Sequence, residues 1–177
     1  MKKYELTAEF IEKWGKKLFR IKALISFGSV EAGKLGGYVE KEDNLAQDGD
    51  AWVYGDAWVC GNARVYGDAR VCGDARVYGD AWVCGDAWVC GDADYLLIGR
   101  IGSRFSFTTF FKNKDKGITV SCGCFLGTIA EFRAKVTDTH GNNKHAKMYN
   151  LAADMAELQI LGEEHFDKLN TNKSEPF

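Results

Sequence analysis

Apolar and polar positions alternate through the middle of this chain, with an interruption every six residues. Eight consecutive units run from Gly49 to Leu96, each opening Gly-Asp/Asn-Ala, and seven continue with a variable residue, Val, and then Tyr or Cys. In Gly55-Asp56-Ala57-Trp58-Val59-Cys60 an extended strand places Ala57 and Val59 on one face and Trp58 and Cys60 on the other. Ala and Val recur in every full unit, as a narrow interior requires, while the opposite positions vary among Trp, Arg, Tyr and Cys, as outward positions do. The Gly-Asp pair marks a corner, where glycine accepts a positive φ and the short carboxylate bonds to nearby backbone N–H groups. Small aliphatic side chains inside and a bend every six residues predict a triangular prism. Such units bury their apolar residues by stacking on copies of themselves.

The flanks carry other periods. From Phe19 to Phe27 the odd positions Phe19, Ile21, Ala23, Ile25 and Phe27 are apolar and most even ones polar, which predicts a strand. Gly15 turns the chain between Glu9–Trp14 and Lys17–Phe27 as a hairpin, with a weak amphipathic helix over Thr7 to Phe19 as the alternative. Gly33 to Glu40 then feeds the repeat. Beyond Gly99, Tyr95–Ile101, Phe105–Lys112 and Ile118–Phe125 read as three strands, separated by Gly102-Ser103 and by Asn113 to Gly117. Thr128-Ile129-Ala130-Glu131 has the capping-box spacing of a helix start. Ile129, Phe132 and Val136 follow on one face, and Gly141 is the stop. A second helix is expected from His145 to Leu161, with Met148, Leu151, Ala152, Met155 and Leu158 as its buried stripe and a frayed end over the last ten residues or so.

The repeat resembles the hexapeptide-repeat, left-handed parallel β-helix superfamily, in which an aliphatic residue is followed four places later by a small one. Val53/Ala57, Val59/Ala63 and Val65/Ala69 carry that resemblance. It implies three strands, and hence eighteen residues, per coil. The expected fold is therefore mainly β: a short left-handed parallel β-helix of about three coils, with an N-terminal β-rich cap and a C-terminal α+β cap of three strands and two helices. The expected divisions are residues 1–48, 49–98 and 99–177, as one compact unit with caps rather than two large domains. Gly36-Gly37-Tyr38-Val39-Glu40, the Gly-Asp-Ala-Arg-Val units, and Thr108 to Asp115 with Val120 to Phe125 together resemble hexapeptide-repeat proteins carried by phages and prophages, whose activity is unassigned. The N-terminal and repeat parts also resemble bacterial hexapeptide-repeat proteins labelled as transferases.

A formal charge of −2 gives no general pull toward nucleic acid or membrane. No apolar run of membrane-spanning length and no N-terminal signal pattern is present, so a cytoplasmic protein is expected, in the host cytoplasm if phage-encoded. Its six cysteines are then expected as thiols. Cys72 and Cys90, one coil apart, are near enough for a disulfide, but adjacent strands seldom orient their sulfurs suitably.

Enzymes of this architecture place histidines on the coil as general base or metal ligand. Here the coil has none, since His140, His145 and His165 lie beyond it. The reading leans away from an enzyme and toward a non-catalytic binding or assembly module. No cofactor is expected. An acyltransferase-like activity and a protein that sequesters a host nucleotide-like signal are the alternatives. Cys122 and Cys124, placed on one strand, could join His140 and His145 in a tetrahedral zinc site; otherwise the cysteines pack beneath the helices, His140 caps carbonyls and His145 is solvated. A Cys122/His140 nucleophilic pair lacks an orienting third group. Columns of corner aspartates (Asp50, Asp68, Asp86; Asp56, Asp74, Asp92; Asn62, Asp80) would bind calcium or, more simply, their own turns.

At eighteen residues per coil, Trp52, Arg70 and Trp88 stack on one face, Trp58, Arg76 and Asp94 on a second, and Arg64 and Trp82 on a third. Soluble monomers rarely leave contiguous aromatic patches open, so a C-terminal helix or another subunit is expected to cover at least one face. A homo-oligomer is the expected partner state, as a trimer in keeping with the superfamily, with a small phosphorylated ligand or a host protein as the other expected partners. The ladders either stiffen the sheet or, with guanidinium beside indole, hold a small phosphorylated ligand. On the second reading the ligand-binding residues are Arg64, Arg70, Arg76, Trp52, Trp58, Trp82 and Trp88.

Overall fold

Seven two-residue strands, β4 to β10, stand at the predicted positions of the repeat: Trp52–Val53, Trp58–Val59, Arg64–Val65, Arg70–Val71, Arg76–Val77, Trp82–Val83 and Trp88–Val89. They come from a computed structural model that describes residues 1–171. Pairing is parallel between strands eighteen residues apart, as in Trp52↔Arg70↔Trp88, Trp58↔Arg76 and Arg64↔Trp82. Main-chain bonds climb the same steps: Arg70 N donates to Ala87 O at 2.8 Å and Tyr54 N to Val71 O at 2.7 Å. Every repeat valine from Val53 to Val89 is fully buried, and the alanines from Ala51 to Ala87 are at most 1% exposed. The Val/Ala face is therefore the interior. At the corners the glycines take φ between 59° and 72°. Close approach adds a second requirement at Gly49, where a Cβ would lie 2.5 Å from the Gly67 carbonyl oxygen.

The N-terminal segment is a hairpin, and the helical alternative is not adopted. Strands β1 (Tyr4–Lys13) and β2 (Lys16–Ala23) pair antiparallel across Trp14 and Gly15, whose φ values of 50° and 72° suit the tight turn of a two-residue loop. Strand β3 (Leu35–Val39) then pairs antiparallel with β2 and parallel with β5. One sheet, β1-β2-β3-β5-β8, thus joins hairpin to repeat. Both sides of β2 are covered, with Leu18 against Trp58 and Tyr38 and Ile21 against the approach of Gly36. Lys3, 2% exposed, donates its Nζ to the carbonyls of Asp48, Gly49 and Ala51, so a cation substitutes for absent strand partners at this edge.

Glu40 fastens the hairpin to a corner. Its carboxylate accepts from Lys16 Nζ at 2.8 Å and from the Gly61 N–H at 2.6 Å. Burial pushes this carboxyl up, but the lysine and the amide outweigh it and hold the group below its usual value of 4.5. A depressed carboxyl stabilises the fold fully above that usual value, and the contribution is lost as pH falls through the folded-state value. Melting temperature should thus drop more on acidification below pH 4.5 in the parent than in Glu40→Gln. Parallel acid limbs for the two proteins would remove the linkage.

Contacts divide the chain into two compact units, Met1–Asp92 and Ala93–Phe177. The second unit is an antiparallel meander of four strands, β11 (Tyr95–Ile101), β12 (Ser106–Lys112), β13 (Ile118–Cys122) and β14 (Phe125–Thr128). The expected third strand is thus two, because Gly123 at φ 62° and Cys124 turn the chain back. Helix α1 (Ile129–His140) begins at the predicted capping box, with Thr128 and Glu131 bonded reciprocally, and stops at Gly141. Helix α2 spans Lys144–Leu161, and a third helix not expected from the sequence, α3 (Glu163–Thr171), follows Gly162. It occupies the start of the expected frayed end, the rest of which lies outside the described residues. Two acidic residues in the first turn of α3 suit the positive end of the helix dipole.

The face of α2 is also corrected. Its buried residues are Ala146, Tyr149, Ala152, Ala153, Ala156, Glu157 and Ile160, all but Glu157 in one core with Phe110, Val120, Phe132 and Val136. Met148, Leu151, Met155 and Leu158 are exposed, and Ala152 alone of the expected stripe is inside. Alanines let the helix axis lie close to the neighbouring aromatic rings, which larger side chains would hold apart.

Candidate functional site

The seven sequence-derived residues do not converge. Trp52 is fully buried outside the Val/Ala interior, covered by Tyr4 and Phe27 at ring separations of 6.1 and 5.4 Å. Trp58 is 5% exposed, beneath Trp14 at 5.0 Å. The N-terminal hairpin and the segment after it therefore cover the two earliest tryptophans of the repeat. Arg70 and Trp88 share a different stack from Arg76, and Arg64 and Trp82 occupy a third. The Arg70 guanidinium lies 6.0 Å from the Trp88 ring, at the limit of a cation–π contact. Arg76 faces Asp92, whose Oδ1 accepts the Arg76 N–H at 3.0 Å. Asp94, expected as the third member of the second column, ends a 3₁₀ turn over Asp92–Asp94 and is not on a repeat strand.

The third stack has an open groove. Just before the repeat, a 3₁₀ turn over Glu42–Asn44 is pinned by Asn44, which is fully buried and donates Nδ2 to the carbonyls of Gly61 and Ala63 at 3.1 and 2.8 Å. Leu45 then bridges Val65 in parallel, and Ala46 N donates to Val65 O. Ala46 consequently stands one rung from Tyr66, a methyl where the next rung has a phenol. This deficit leaves a groove of about 500 Å³ bounded by Glu42, Asp43, Gln47, Arg64, Tyr66 and Trp82. A further 270 Å³ extends past Arg64 toward Lys41, Asn62 and Asp80. Trp82 is 44% exposed, and its ring meets Tyr66 edge-on at 6.3 Å. The groove therefore presents a guanidinium, an aromatic surface and two carboxylates within one concavity of ligand size. The sequence reading found Arg64 and Trp82 but missed the wall, because Lys41 to Gln47 lacks the Gly-Asp-Ala signature.

At the corner of this stack, Asn62 Nδ2 donates to Asp80 Oδ1 at 3.1 Å. An amide in place of one aspartate turns a repulsive step into a hydrogen bond. Among the described residues no group of three or more His, Cys, Asp or Glu side chains is arranged to hold a metal ion.

The zinc ligands proposed from sequence are likewise not gathered. Cys122 ends β13, whereas Cys124 is exposed in the turn, so the two thiols do not share a strand. Cys122 Sγ accepts a hydrogen bond from Thr108 Oγ1 at 3.2 Å. Burial and the neighbouring Cys122 push the Tyr149 phenol above its usual value. His140 stacks on Tyr149 and lies 5.8 Å from His145, and both imidazoles are half-buried rather than capping or solvated. Cys122, Cys124, His140 and Tyr149 border a cavity of about 230 Å³ within the second unit, which His145 does not line. In the repeat, Cys72 and Cys90 are joined as a disulfide, which corrects the expectation of six thiols. Parallel pairing in register brings their Cα atoms to 4.4 Å.

Among the described residues no helix is long and apolar enough to cross a membrane. A family model described as the YdcK beta solenoid repeat matches residues 57–73 and 69–85. No curated protein matches the chain. Parallel strands stepping through the matched segment agree with that description of the repeat. The chain is a β-solenoid repeat protein.

Proposed function

We propose that this chain is a non-catalytic binding and assembly protein of the phage or prophage type, acting as a homo-oligomer in the cytoplasm and built on a left-handed hexapeptide-repeat β-helix of about three coils. The eighteen-residue register and the Val/Ala interior support that form of solenoid. The absence of histidine from the repeat supports a binding rather than a catalytic role. One observation carries the binding function: the groove in which Arg64 and Trp82 share a wall.

Its ligand class follows from the lining. A guanidinium pairs with phosphate oxygens through two parallel N–H bonds, an indole face stacks on a planar base, and the carboxylates of Glu42 and Asp43 accept from amino or hydroxyl groups. A small nucleotide combines all three features. Isothermal titration against a panel of linear and cyclic nucleotides should give saturable binding to the parent. Arg64→Ala and Trp82→Ala should each weaken it by about tenfold or more, equivalent to about 1.4 kcal/mol. Arg76→Ala, on another stack, should leave affinity unchanged. A silent panel, or binding indifferent to both groove substitutions, removes this function.

A further inference from the structure

Helix α2 leaves one stripe without a covering element among the described residues: Met148, Leu151, Met155 and Leu158 are 39%, 63%, 57% and 45% exposed. Their spacing of three, four and three residues is the a/d pattern of a heptad. A globular helix buries a broader face, and α2 already does so on its opposite side through Ala146, Tyr149, Ala153 and Ala156. A narrow a/d stripe is instead the seam by which one helix receives another. Charge selects the partner and its direction. The stripe begins at the exposed Lys144 and Lys147 and ends against the exposed Glu163 and Glu164 of the following helix.

We infer that this stripe is a homodimer seam in which α2 of one copy packs antiparallel on α2 of another. With the two-fold axis midway between Leu151 and Met155 along the stripe, Leu151 meets Met155 of the second copy and Met148 meets Leu158. Lys144 then falls opposite the junction of Gly162 and Glu163. The surface is self-complementary, as an isologous contact requires: basic start against acidic end, twice. Parallel packing would set lysine against lysine and glutamate against glutamate, and a hydrophobic surface of another protein would leave both charged ends unmatched.

This seam rests on the homo-oligomer reading above, and the test separates the two. Native mass spectrometry and light scattering are applied to the full chain and to Leu151→Glu/Met155→Glu. Both substituted positions are exposed, so helical circular dichroism should be retained. The parent should contain dimeric units and the double variant should lose them, with the dissociation constant raised about a hundredfold or more. A parent monomeric at all concentrations overturns seam and homo-oligomer together. An oligomer that survives the double substitution overturns the seam alone. Direction is read from charge reversal: Lys144→Glu should weaken the dimer, and adding Glu163→Lys/Glu164→Lys should restore it. Restoration failing while the double variant still dissociates overturns the antiparallel arrangement.

Discussion

Replacing Arg133 by alanine should lower the unfolding free energy of the C-terminal unit by about 3 kcal/mol, the lower end of the range for breaking a buried ion pair. From α1, the guanidinium donates to Asp154 Oδ1 at 2.8 Å and Glu157 Oε2 at 2.7 Å, and reaches the Asn150 carbonyl and side-chain oxygens at 3.3 and 3.2 Å. Four acceptors on α2 thus converge on one side chain of α1. The Glu157 side chain is 8% exposed, so removing the arginine strands a carboxylate with little access to water. Partial exposure of Arg133 and Asp154, at 22% and 34%, places the effect below the maximum. Urea denaturation of Arg133→Ala and of the apolar pair Arg133→Met/Glu157→Met separates the causes. The pair should recover most of the loss, because neither charge is then left alone. A single-variant cost within about 0.5 kcal/mol, typical of a surface change, would show that α1 and α2 are not joined by this cluster.

Trp52→Ala and Trp88→Ala should differ sharply although the two residues hold the same place in their units. Trp52 is fully buried among Tyr4, Phe27 and the backbone of Gly36, and truncation should cost about 3–5 kcal/mol. Trp88 is 44% exposed and its change should cost about 1 kcal/mol or less. Trp52→Phe provides the control. The Trp52 indole Nε1 is buried with no hydrogen-bond partner, so phenylalanine loses ring area but also removes an unsatisfied polar atom. Its cost should fall well below that of alanine. Equal effects of the two tryptophan truncations in chemical denaturation would mean that the hairpin does not shield the first rung in solution.

The same pair shows what a repeat conceals. Interior positions were legible because composition is uniform there: every unit places Ala and Val on one side, and parallel stacking follows. The columns of Trp and Arg followed from the same step. Which tryptophan is covered did not, since Trp52 and Trp88 have near-identical local sequences and the difference is made by Tyr4 and Phe27, far away along the chain. Likewise the groove beside Arg64 depends on Ala46, whose significance appears only after Leu45 is paired with Val65. On α2, hydrophobicity favours methionine and leucine as the core face, but close packing against Phe132 and the Tyr149 side selects alanine. The turn at Gly123-Cys124 was obscured by the β-rich residues on either side of it. Thr128 and Glu131, by contrast, were readable because a helix start is satisfied by its immediate neighbours.

The pairing step constrains how such a chain changes length. Insertion of one six-residue unit after Cys72 would advance every later side chain to the adjacent stack, separating Trp82 from Arg64 and Cys90 from Cys72. Insertion of three units restores each column and merely adds a rung. Changes of length that keep the columns intact therefore come in whole turns, much as a spiral stair keeps its landings aligned only when complete revolutions are added.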